Sequence, residues 1–201
     1  MKSVRRVGLL AAALALPVLA LTACNPMEPG AAAVVGDTRI TEQELAQQVE
    51  AILQAQGRPV DASDADLTVS TLSRMVTTEL VEQAAAQAGV SITRGQIDSA
   101  LGDYLAQAGS QAEVDRIFIE GGIAPSQIEA IVLLNLRAQA LGQMLLPDAE
   151  PRAQGAALLR ELGQFSIEQG TVVSPRYGAW NPVALQVGPQ EDPLAVPPAT
   201  Q

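Results

Sequence analysis

The stretch VVGDTRITEQEL, Val34 to Leu45, decides how the rest of the chain is read. It opens on two β-branched apolar residues and breaks at Gly36-Asp37, which predicts a short strand running into a turn. It closes on a helix start. Thr41 can accept from the Glu44 amide while the Glu44 side chain reaches back, a capping box. Ile40 and Leu45 stand at the two staple positions around it.

The same grammar recurs downstream. ITRGQI places Thr93 and Gln96 at the same spacing, between Ile92 and Ile97. SQAEV offers Ser110 with Glu113, and IAPSQI offers Gln127 behind Ala124, a residue with no capping oxygen. Pro125 then falls at a first helical position, where a missing N–H costs nothing. Gly57, Gly89, Gly109 and Gly121 each follow an amphipathic run and suit a left-handed stop. Helices are expected over about 41–56, 63–88, 93–108, 110–120, 125–146 and 152–168, with ends good to about 2–4 residues. Apolar residues keep helical spacing along them, as in Leu45, Val49, Ile52 and Leu53, or Leu72, Met75, Val76 and Leu80. Each helix also carries Gln, Glu or Arg, so none reads as a membrane span.

Composition narrows the chemistry. The chain of 201 residues has no histidine, which removes imidazole bases, imidazole metal ligands and every nucleophile paired with histidine. No glycine-rich phosphate loop and no cysteine cluster is present. Asp61, Asp64 and Asp66 form a loose carboxylate group, but acids belong at a helix start, and no calcium-loop spacing follows. The sequence therefore calls for no metal, no cofactor and no catalytic residue. Asn135 reads as a partly exposed helix position, and Tyr104 and Phe118 read as core.

The first residues speak to location. Lys2, Arg5 and Arg6 precede an apolar run from Val7 to Leu21, too short for a comfortable span and typical of a secretory leader. It ends in Leu21-Thr22-Ala23-Cys24, which resembles a bacterial lipobox. That resemblance implies a lipoprotein signal peptide over 1–23, lipidation of Cys24, and a cell-membrane protein held on the extracytoplasmic face. Without residues 1–23, nine cations face 22 acids, a formal charge of −13. A surface this acidic repels nucleic acid, so no nucleic-acid partner is expected, and acyl chains rather than a basic patch must hold the membrane. NPMEPGAA, within 24–32, reads as a tether.

In order and spacing these parts resemble the N-terminal domain of the SurA-like periplasmic chaperones and their Gram-positive foldase relatives. Val35, Gly36, Ile40, Thr41, Glu44 and Leu45 fill that family's first strand-and-helix pattern. GVSITRGQIDSAL matches a second pattern at Gly89, Val90, Ile92, Thr93, Gln96, Ile97 and Asp98, and GGIAPSQIEAIV resembles the entry to its longest helix. The resemblance covers about 32–180 and implies a mainly α fold. That fold is a six-helix domain over 33–180 with a small two-stranded β element joining its ends; beyond it, the prolines from Pro182 to Pro198 read as a disordered Pro-rich tail over 181–201. Many relatives carry an inserted parvulin prolyl isomerase domain after the long helix. Here that place holds only LPDAEP, Leu146 to Pro151, and the histidines on which such sites rely are missing. Kinship of fold therefore does not carry the isomerase activity across, and the chain is not expected to be an enzyme.

The resemblance also bears on VVSPRYGAWNP, Val172 to Pro182, which holds two of the five aromatic residues. It implies a returning strand in which Val172 and Val173 pair with Val34 and Val35. Tyr177 and Trp180 would then cover the helices; alternatively Arg176, Tyr177 and Trp180 form a patch for clients. The implied function is a membrane-anchored, non-catalytic domain that binds unfolded or assembling envelope polypeptides. Apolar groove positions near Met75, Ile119, Ile123 and Met144 are candidates, with ordinary core packing the competing role for each. A dedicated scaffold or subunit of one envelope complex is the alternative, and a peptidyl-prolyl isomerase a third reading.

Overall fold

The computed structural model describes residues 29–190. The signal peptide, Cys24 and residues 191–201 lie outside them, so the readings made there are not addressed by the fold. In chain order come β1 (Ala31–Val35), β2 (Thr38–Thr41), α1 (Glu42–Ala55), α2 (Ala65–Gln87), α3 (Arg94–Ala108) and α4 (Gln111–Glu120). A 3₁₀ turn at Pro125–Gln127 leads into α5 (Ile128–Leu145), followed by α6 (Pro151–Glu168), β3 (Val172–Val173), β4 (Ala179–Asn181) and β5 (Gln186–Gly188). The fold is mainly α, with six helices among the described residues.

The helix starts follow their local chemistry. Glu44 N–H donates to Thr41 Oγ1 at 3.1 Å and Thr41 N–H donates to Glu44 Oε2 at 2.7 Å, closing the box. Thr93 and Gln96 repeat it at 3.3 and 2.8 Å. Ser110 caps Glu113 N–H at 3.2 Å, but the Glu113 carboxylate turns to Arg116 instead of reaching back. At the fourth start Ala124 supplies only its N–H, which donates to Gln127 Oε1 at 2.9 Å. Asp64 caps α2 by accepting from Leu67 N–H at 2.8 Å and pairs with Arg58 at 2.8 Å, which accounts for the acid in that loop. Gly57, Gly89 and Gly109 take the left-handed conformation as expected. After α4, Gly121 does not (φ −79°), and its neighbour Gly122 takes φ +71° in its place.

Two apolar clusters result. The larger packs β1, α1, α2 and α6 around Val35, Leu45, Leu72, Leu80 and Leu162. The smaller sits among α3, α4 and the start of α5, on Ile97, Val114, Phe118, Ile128 and Val132. Tyr104 meets Phe118 edge-on there, ring centres 5.4 Å apart; Phe118 is core as expected, and Tyr104 packs on the cluster half-buried. Helix α5 joins the clusters, with Val132 in the smaller and Leu141 in the larger. Asn135 is exposed between them.

The β structure is larger than the two-stranded element that the sequence suggested. β1 is the middle of a three-stranded antiparallel sheet, order β2-β1-β3. Its pairing with β3 sets Ala33 opposite Val173 and Val34 opposite Val172, the expected closure. The extra strand arises because Gly36 adopts φ +58° and turns the chain back at once, setting Val35 opposite Thr38 and Ala33 opposite Ile40. The turn is pinned on both sides, by Gly36 N–H donating to the Gln169 carbonyl at 3.0 Å and by Gln83 Nε2 donating to the Val35 carbonyl at 3.0 Å.

Two boundaries need correction. The tether read over 24–32 overruns the domain, since Ala31 and Ala32 are buried in β1. The tail read from 181 onwards also starts too early. β4 and β5 form a second antiparallel sheet with Trp180 opposite Val187, and Leu185 and Val187 are buried. Asn181 Oδ1 holds the connecting turn by accepting from Val183 and Ala184 N–H at 2.9 and 3.0 Å. Val187 N–H donates to Ser73 Oγ at 2.9 Å and Thr77 Oγ1 to the Leu185 carbonyl at 3.2 Å, fixing the hairpin on α2.

Candidate functional site

A cleft of about 330 Å³ opens between β2, α1, α2 and the start of α5. Its apolar walls are Ile40, Met75, Ala130 and Ile131. β2 contributes three consecutive residues, Thr38, Arg39 and Ile40. Successive side chains of a strand point to opposite faces, so a cleft that touches all three meets β2 along its edge. That edge carries no strand neighbour among the described residues, because β2 is outermost in its sheet. An unpaired edge is a row of backbone donors and acceptors that an added strand can complete.

Most of the polar groups around the cleft are engaged with one another. Glu44 accepts from the Thr41 amide and hydroxyl, and these hydrogen bonds, the backbone one first, hold its carboxyl below the usual range. Glu79 Oε1 accepts from Gln83 Nε2 at 2.7 Å. Gln127 is buried and fully bonded, donating to Gln48 Oε1 at 2.6 Å while receiving from Ala124. Arg39 donates to the Pro29 carbonyl.

Arg74 stands apart from this network. Its carbonyl accepts from Thr78 Oγ1, but its Nη2 is buried with no hydrogen-bond partner, and no carboxylate among the described residues pairs with it. Burial pushes its guanidinium pKa below the ordinary arginine value. Elsewhere in the fold Arg58, Arg94, Arg116, Arg137 and Arg176 each pair with a carboxylate. Arg74 also lines a second cleft of about 450 Å³, shared with Asp66, Ser70 and the β5 hairpin, and no ion pair with Asp66 forms there. Stripping one partner from a buried ion pair costs about 3–5 kcal/mol, because the other charge is left without compensation. A partly buried lone arginine carries a share of that cost until an anion meets it. Its position was not legible in the sequence, where Arg74 sits in LSRMV like any amphipathic-helix cation.

The candidates from the sequence do not gather in one groove. Met75 is half-buried and lines the cleft. Ile123 packs on the smaller cluster, and Ile119 is half-buried on α4 with its carbonyl accepting from Gln56 Nε2 at 3.4 Å. Met144 is 57% exposed near the end of α5. None of these three walls the cleft. At the closing stretch, Arg176 pairs with Glu42 at 2.7 Å and stands 5.5 Å above the Tyr177 ring. Tyr177 and Trp180 pack on the larger cluster, each half-buried, and Trp180 Nε1–H donates to Ser166 Oγ at 3.1 Å. Burial, ahead of the nearby Glu42 charge, pushes the Tyr177 hydroxyl pKa up.

No three acidic or cysteine side chains gather as a metal site among the described residues. No single helix among them is long and apolar enough to cross a membrane. No curated protein and no solved structure matches the chain. The family model described as the SurA-like N-terminal domain matches residues 3–121, that is, through the end of α4 and short of the 180 that the sequence resemblance suggested. The chain is thus a member of the SurA-like N-terminal domain family.

Proposed function

We propose that this protein is an extracytoplasmic lipoprotein, anchored through Cys24, whose helical domain holds unfolded or assembling polypeptides without catalysing a reaction on them. The observation that carries this reading is the unpaired edge of β2 lying along a cleft with apolar walls. Backbone pairing to a strand edge is indifferent to client sequence, and Met75 adapts to varied side chains. The family supports a chaperone-type role. Where the resemblance would place a parvulin insert the chain has only the short α5–α6 link, and the chain has no histidine.

The test is suppression of aggregation of several unrelated denatured proteins by the purified chain. Protection of all of them at near-stoichiometric ratios supports a holdase, and Ile131→Glu on the cleft wall should abolish it. Protection of none, with one partner co-purifying in fixed ratio, would establish the scaffold reading in its place.

A further inference from the structure

We infer that α3 and α4 form a flap that undocks from α5, and that its opening extends the cleft across α5 for the same client polypeptide. This rests on the polypeptide-holding reading above and names how that site enlarges. The flap runs between Gly89 and Gly122, which both take φ +71° and mark where the chain changes direction. Helices α3 and α4 contribute to the smaller apolar cluster and not to the larger, so undocking leaves β1, α1, α2 and α6 packed.

The docking is thin. Only Ile97 is buried among the 15 residues of α3, and only Val114 and Phe118 among the 10 of α4. Helix α2 buries seven. Clefts of about 310 and 200 Å³ flank α3, the first against Leu101, Leu105, Val114 and Ile128, the second against Tyr104 and Val132. Among the described residues, two side-chain polar ties join α3 and α4 to the rest of the fold. Arg94 meets Glu129 at 2.6 Å with both exposed, and such a pair contributes little in water. Gln56 Nε2 donates to the Ile119 carbonyl at 3.4 Å. Once undocked, a helix of 15 residues with Gly102 near its middle is marginal in water and melts. Elements with so few buried apolar contacts are the ones that open locally while the rest stays folded.

The surface under the flap gives its opening a use. The flap sits on Ile128 and Val132 of α5. Ile131 packs on that same cluster and also walls the cleft. The seat of the flap and the cleft therefore meet at Ile131. Lifting α3 and α4 joins Ile128 and Val132 to the wall made by Met75, Ala130 and Ile131, so a client segment in the cleft has a longer apolar surface to lie on.

The test is native-state hydrogen exchange of the full chain in detergent, read by mass spectrometry, with and without reduced and alkylated lysozyme as the unfolded client. Amides of α3 and α4 should exchange together, about tenfold or more faster than those in the middle of α2. Client should speed them several-fold further, because it binds the open form. At Gly102 a Cβ would meet nothing within 4 Å, so Gly102→Ala adds helix preference without a clash. It should slow exchange in α3 and α4 about fivefold, and weaken client binding by the same factor, since apparent affinity scales with the open fraction. Exchange in α3 and α4 as slow as in α2 overturns the flap. Exchange that the client slows, or a client affinity that Gly102→Ala leaves unchanged, overturns its part in client holding and leaves the cleft reading standing. No client binding by either chain removes the cleft reading and this inference together.

Discussion

Two glycines of α6 should respond to alanine in opposite directions. Gly155 is exposed, and a Cβ there would meet nothing within 4 Å. Gly163 is buried, and a Cβ there would lie 2.5 Å from the Pro182 carbonyl oxygen. Both sit in ordinary helical backbone, so each alanine gains the same intrinsic helix preference, about 0.8–1 kcal/mol. At Gly155 that gain stands alone, and Gly155→Ala should stabilise by nearly that amount. At Gly163 the new methyl presses on main chain, which cannot swing aside as a flexible side chain would. Overpacking typically costs about 1–3 kcal/mol, and with a contact this short the upper part of that range applies. Gly163→Ala should therefore destabilise by about 1–2 kcal/mol net. Thermal unfolding followed by circular dichroism separates the two, since 1 kcal/mol moves the midpoint by about 2–4 °C at this size. Expected is a rise for Gly155→Ala and a fall for Gly163→Ala. Equal rises would mean that the β4–β5 hairpin does not lie on α6, and the description of how the domain closes would fail.

Trp180→Ala removes a half-buried ring and its bond to Ser166, and should cost about 2–3 kcal/mol, less than the 3–5 of a fully buried aromatic; an unchanged midpoint with lost client capture would instead make the ring a binding element. Thr41→Ala removes the α1 cap and should cost about 1 kcal/mol, visible in the same melts. Acid should destabilise the fold. Glu44, through the Thr41 amide and hydroxyl, and Asp64, through the Leu67 amide and then Arg58, have carboxyl pKa values lowered in the folded state. Their contribution is present above the ordinary carboxylate pKa and is lost as pH falls through the lower folded values. Melting midpoints should thus decline below about pH 4, and Asp64→Asn should flatten that decline. Cys24→Ala should leave an unprocessed or mislocalised form that no longer takes up a fatty-acid label; labelling that persists would refute the anchor.

What was legible in the sequence was what is local. The boxes at Thr41 and Thr93 need only a hydroxyl and an acceptor three residues on, so α1 and α3 begin where the sequence places them. Closure of the sheet by Val172 and Val173 was legible from two apolar pairs and a family pattern. The β4–β5 hairpin was hidden because its alternation spans only Leu185 and Val187, among prolines that suggest a tail, and because its turn needs Leu185 at φ +50° and not a glycine. β2 is hard to see in the sequence although Gly36-Asp37 is a recognised two-residue hairpin turn, since Thr38–Thr41 runs straight into the α1 capping box. With two glycines in a row after α4, sequence could not say which would turn left-handed; the structure gives the role to Gly122. The cleft was the least legible part. Met75 was named for its flexibility, but the open edge of β2 and the stranded charge of Arg74 depend on elements far apart in the chain.

The most direct test of the account is a photo-crosslinking residue placed at Met75, within the cleft, in intact cells. Polypeptide holding along the β2 edge predicts many crosslinked species of different mass, identified as newly exported envelope proteins, with few or none from the same probe at exposed Gly155 on α6. A single discrete product at Met75 would show a dedicated partner, and no product would show that the cleft does not hold polypeptide; either result contradicts the account.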